Sequence, residues 1–119
     1  ERSARHLLKA GKPHPALPKL LGAAQERLVR GQVVEAERIM DARDETLRRM
    51  RVPTEDPLWG RGWVQKAKLF RLTDRQAEAV ELAQRALRSA ERHRWTEIQT
   101  LAQAELDALE AARTRIEPL

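Results

Sequence analysis

The sequence predicts an all-α fold of antiparallel helix hairpins, and three observations predict it. Apolar residues recur at three- and four-residue intervals along most of the chain, as one buried helical face requires. The periodic stretches are separated by short Gly- or Pro-containing breaks, which favours hairpins of neighbouring helices over distant crossovers. Aromatics make up only 3% of the 119 residues, with no Tyr and one Phe, too few for a sandwich or barrel built on strand-favouring side chains. About five helices are expected, with a helical stub in front of them.

Residues 1–10 place Ala4, Leu7, Leu8 and Ala10 before Gly11, the pattern of a helix end with a C-cap glycine. Lys12–Pro18 holds three prolines and reads as an extended connector. The next helix is expected from near Pro18, with Leu17, Leu20, Leu21, Ala24 and Leu28 on one stripe and a stop at Gly31. A second runs from Val33 to Met50 on Val33, Ala36, Ile39, Met40, Leu47 and Met50. Val52–Asp56 is a loop, and Asp56-Pro57 reads as N-cap plus first-turn proline for a helix reaching Leu72. Gly60 and Gly62 weaken its first turn by about 1 kcal/mol each, so that turn either frays or packs tightly on a neighbour. Thr73 with Gln76 is a capping-box signal for a helix over 74–92, and Thr96 with Gln99 repeats it for a last helix ending before Pro118.

Composition narrows the function. There is no cysteine, which removes disulfides, thiolate catalysis and cysteine-held metals. No apolar run approaches the roughly 18 residues of a membrane span, and no signal-peptide pattern precedes the chain, so a cytoplasmic location is expected. The start at Glu1 reads as that of a piece excised from a longer protein. The net charge of +5 is uneven. Residues 57–94 carry nine basic and four acidic side chains, whereas residues 95–119 carry two basic and five acidic ones. Such polarity bears on partner choice.

No residue set supports catalysis, a cofactor or a metal site. Ser3 and Ser89 have no adjacent base, and no Gly-rich phosphate loop exists. Glu37, Asp41, Asp44 and Glu45 form an acidic stripe, but Arg48 and Arg49 follow at helical spacing, so surface ion pairs are the simpler account. His93 and Glu97 are four apart without a third ligand.

The chain also repeats itself. Glu-Ala pairs begin at 35 and 78, a spacing of 43, with the excess over an ideal period of about 34 absorbed between Val52 and Gly62. Trp63, Ala67, Phe70, Ala79, Ala83 and Ala86 reproduce a W-x3-A-x2-F-x8-A-x3-A-x2-A skeleton. Small alanines let two helix backbones approach while the aromatics fill the remaining gap. With these residues the chain resembles the tetratricopeptide-repeat (TPR) superfamily, best over 57–92. Residues 17–50 form a degenerate repeat in which Arg27 and Arg43 replace an aromatic and an alanine, and 96–116 is a capping or next-repeat helix. The Arg/Ala/Leu-rich texture is also similar to the irregular repeats of bacterial MalT/LuxR-type regulators.

The resemblance implies a TPR-like α-solenoid over 1–119, in a scaffold or sensor segment of a larger bacterial regulatory protein. It also implies a concave face lined by the first helix of each pair. On that face Arg61, Val64, Gln65, Lys68, Arg71 and Leu72, with Leu21, Gln25 and Leu28 from the first repeat, would seat an acidic or amphipathic protein segment. The plainer account is a solvated basic face neutralised by the acidic last helix. The asparagine/lysine carboxylate clamp of some members is not recognisable. A second basic stripe, Arg85, Arg88, Arg92 and Arg94, could touch phosphates or an acidic neighbour, but nucleic acid is the weaker reading because stacking aromatics are few. Trp59 is either core or an anchor left for a partner. Leu7, Leu8, Leu101, Leu106 and Leu109 at the end faces would support self-association.

Overall fold

The computed structural model describes residues 16–116. These residues form five helices and no strand: α1 (Ala16–Val29), α2 (Val33–Arg49), α3 (Pro57–Leu72), α4 (Gln76–His93) and α5 (Thr96–Ile116). The all-α expectation therefore holds. The leading stub, with Leu7 and Leu8, lies outside the described residues. So does the connector up to Pro15, whereas its last residues, Ala16–Pro18, already belong to α1.

The chain divides into two compact units between Pro53 and Thr54, inside the loop the sequence marks. In the first unit α1 and α2 pack as a hairpin. Leu17, Ala24 and Leu28 from α1 and Ala36, Met40 and Leu47 from α2 are buried between them, while Leu20, Leu21, Val33, Ile39 and Met50 are half-buried. Arg43 joins the α2 core face at 2% exposure. The position where the resemblance expects an alanine is thus a true interior position, filled by a guanidinium. Arg27 stays exposed and donates to Gln32 Oε1 at 2.9 Å.

In the second unit α3 and α4 form a hairpin, and α5 packs against both. Asp56 caps α3 by accepting from the Leu58 N–H at 2.9 Å, with Pro57 at N1. Trp63, Ala67 and Phe70 are buried, and Ala79, Ala83, Ala86 and Ala90 reach 0% exposure. Alanine on one side and aromatics on the other let the two helices approach closely. Trp59, at 9% exposure and 6.5 Å from the Trp63 ring, is core rather than an exposed anchor.

The two capping-box expectations fail. Thr73 is the C-cap of α3, its hydroxyl donating back to Leu69 O at 2.9 Å, and α4 starts at Gln76 with Arg75 as its N-cap. At α5, Thr96 is already the first helical residue. A Thr hydroxyl can serve the preceding carbonyls as readily as the following amides, and here Thr73 does the former.

All four connections end a helix in the same way. Gly31, Arg51, Asp74 and Arg94 have φ of 78°, 56°, 63° and 62°. The residue after each donates its N–H to the carbonyl five positions back: Gln32 to Arg27, Val52 to Leu47, Arg75 to Phe70 and Trp95 to Ala90, at 2.8–3.0 Å. This is the left-handed Schellman stop.

Candidate functional site

The seam between α3 and α5 organises the second unit. A Cβ placed on Gly60 would lie 2.8 Å from Trp95 Cζ3 and 3.2 Å from Ile98 Cδ1, so the glycine exists to admit α5 at this point. Of the two expectations for the glycine-weakened first turn, tight packing is the outcome. Further along, Arg61 pairs with Glu97 at 3.1 Å and Arg71 Nε donates to Glu105 Oε1 at 2.8 Å. The partners are 36 and 34 residues apart and advance together, so α3 and α5 run parallel. The buried Ile98 and Ala102 stand 35 residues on from Trp63 and Ala67.

This seam changes how the residues proposed to hold a partner are used. Val64 is only 8% exposed. It lies four residues after Gly60 and seven before Arg71, on the side that meets α5, so it is interior and not groove wall. The Arg71–Glu105 side chains are 23% and 12% exposed, which makes their pair a structural lock. The Arg61–Glu97 pair is looser, at 42% and 67%. The acidic last helix therefore neutralises two of the three cations. Gln65 and Lys68 are half-buried and Leu72 is 53% exposed. Lys68 makes no ion pair with a described residue. Thr100, Gln103 and Asp107, 35 residues on from Gln65, Lys68 and Leu72, are all exposed. Leu21 and Gln25 are half-buried in the first unit, and Leu28 is buried there.

On α4, Arg85, Arg88 and Arg92 are exposed at three- and four-residue spacing, opposite the alanine stripe, and Arg94 is exposed at the C-cap. Arg85 places its Cζ 4.2 Å above the Trp63 ring. Sequence reasoning missed this contact, and also the matching one of Arg75 over Phe70 at 4.1 Å. Arg75 is in addition bound by Glu78, at 2.9 and 3.3 Å. Chiefly through that hydrogen bond the Glu78 carboxyl is held below its ordinary pKa; desolvation opposes the shift, and the nearby positive charge adds a lesser lowering.

The other candidates have ordinary surroundings. Glu45 collects Arg48 at 3.1 Å and Arg49 at 3.6 Å, and the His93 ring stacks on Trp95 at 5.2 Å. Among the described residues no three His, Asp or Glu side chains converge as a metal site, and no helix is long and apolar enough to cross a membrane. Leu109 is buried and Leu106 half-buried. Both line an open, mostly apolar cleft of about 440 Å³ with Val80 and Ala112, whereas Leu101 is 43% exposed. No protein-family model matches the chain, and no curated protein or solved structure matches it either.

Proposed function

From this geometry we propose that the second unit holds a segment of a partner protein across the exposed side of α3 and α5. In this reading it acts as a TPR-like scaffold or sensor segment of a larger regulatory protein. The observation that carries the proposal is the seam: α5 lies parallel to α3 at an offset of 34–36 residues, close to the repeat period of about 34 in that superfamily. Two successive parallel helices then present one row of side chains to solvent. Gln65, Lys68 and Leu72 contribute from α3, and Thr100, Gln103 and Asp107 from α5. Amides and hydroxyls both donate and accept, Leu72 offers an apolar contact, and Lys68 is a single uncommitted cation. That mixture suits an amphipathic segment more than a strongly acidic one.

Reversing Arg61 or Arg71 would break the internal pairs with Glu97 and Glu105, so those arginines make poor probes of binding. The test is a nuclease-treated pull-down from host lysate, comparing wild type with the surface variant Lys68→Glu, Leu72→Ser after matching their helicity. A protein retained by wild type and lost by the variant is the expected result. Identical retention by both forms would remove this face from consideration and leave an architectural or dimerisation role.

A further inference from the structure

We infer that the outer face of α4 is a second, separate interface, built to receive an acidic helix of another protein through Arg85, Arg88 and Arg92. The argument begins with a contrast inside the chain. Two arginines of the second unit sit over buried aromatic rings, Arg75 over Phe70 and Arg85 over Trp63. Each is held in place by that contact, and a guanidinium over a ring keeps its edge N–H groups for a further partner. Arg75 has that partner in Glu78. Arg85 has none: no carboxylate of the described residues pairs with it.

Arg88 and Arg92 are in the same condition. Glu91 is three residues from Arg88 and Glu81 four from Arg85, yet neither forms an ion pair with these arginines. Elsewhere in the second unit Arg61 is neutralised by Glu97, Arg71 by Glu105 and Arg113 by Glu110, all at 2.8–3.1 Å, while Arg94 lies exposed just beyond the end of α4. Arg85, Arg88 and Arg92 thus set three adjacent cations without an ion pair among the described residues on one stripe, about 10 Å long at 1.5 Å of rise per residue.

The occupant follows from shape and charge. Cations at i, i+3 and i+7 on a helix match carboxylates at the same spacing on a second helix, each pair set by the period of both. A second copy of this chain offers little to such a face: among the described residues Glu78, Glu97, Glu105 and Glu110 are paired within it, Glu37, Asp41 and Asp44 are engaged there too, and Glu81 and Glu91 stand ten residues apart. A single-stranded nucleic acid would need exposed rings on which to stack its bases, whereas Trp59 and Trp63 are 9% and 7% exposed and the half-buried Trp95 is stacked on His93. The acid-recognising surface that the sequence places on α3 thus belongs to α4, and this inference stands independently of the α3–α5 face.

Three labelled probes test it by fluorescence anisotropy: a capped alanine-based helical peptide with glutamates at i, i+3 and i+7, its glutamine counterpart, and a single-stranded oligonucleotide of equal charge. Wild type should bind the glutamate peptide in preference to both others, with a change in Trp63 emission as Arg85 is engaged. Arg88→Ala, Arg92→Ala, two exposed sites where folding is safe, should weaken binding about tenfold, the loss that two exposed charge contacts together support. Lys19→Ala, at an exposed position of α1, should leave it unchanged. No binding of the glutamate peptide, equal binding of the glutamine peptide, tighter binding of the oligonucleotide, or an unaffected double variant would each overturn the assignment.

Discussion

Replacing Gly60 with alanine tests the close approach of α3 and α5 in one step. Alanine is the better helix former by about 1 kcal/mol, so helix propensity alone predicts a more stable protein. The seam predicts the reverse. The new Cβ would meet Trp95 Cζ3 at 2.8 Å and Cε3 at 3.0 Å, well inside the ~3.5–4.0 Å at which carbon atoms attract. The Trp95 ring, stacked on His93 at 5.2 Å, must move, or α5 must back away along with Ile98. Overpacking of this kind costs about 1–3 kcal/mol. After subtracting the propensity gain, Gly60→Ala should destabilise by up to ~2 kcal/mol, and Tm in a domain of this size falls about 4–8 °C for each of those kcal/mol. Gly22→Ala is the matched control. It lies in α1, exposed, with no atom within 4 Å of the added Cβ, and should gain roughly 0.5–1 kcal/mol. Thermal unfolding followed by far-UV circular dichroism, with near-UV tryptophan signals alongside, separates the two. A Gly60→Ala protein stabilised like Gly22→Ala would refute the account of the seam.

Two further outcomes follow from the ion pairs. A double-mutant cycle on Arg71 and Glu105 should return a coupling of about 1–3 kcal/mol, because removing one partner leaves the other largely shielded from water. The same cycle on the exposed Arg61–Glu97 pair should return under ~1 kcal/mol and fade with salt; equal couplings would contradict the burial difference. NMR titration should place the Glu78 midpoint below the ordinary glutamate range, and Arg75→Ala should raise it. Since the folded-state pKa is lowered, the stability this group contributes is present above the unfolded-state value and is lost as pH falls through the folded-state one. An unchanged midpoint in Arg75→Ala would show that the Arg75 hydrogen bond is not the cause.

What could be read from the sequence was the set of faces, and what could not was the neighbours. The Trp63/Ala67/Phe70 stripe and its alanine counterpart follow from period alone, as does the Asp56-Pro57 start of α3. Val64 was misplaced because the hairpin reading gave α3 one packing partner. With α5 against its flank, a second side of the helix is dry. The glutamates that engage Arg61 and Arg71 lie 36 and 34 residues away, beyond any local rule. Arg43 stands where the repeat skeleton has an alanine, at core spacing from Ala36, Met40 and Leu47, and the position is interior; residue type gives no sign that a guanidinium can fill it. Arg85 over Trp63 was invisible for want of any one-dimensional mark of a ring contact.

The four identical helix stops have a consequence for how this chain can change. A left-handed residue other than glycine costs about 1–2 kcal/mol, and only Gly31 of the four is glycine. Arg51 and Asp74 are exposed and belong to neither proposed binding face. Stability is thus withheld at joints that recognition does not use. At these two joints stability can drift without partner choice being rewritten.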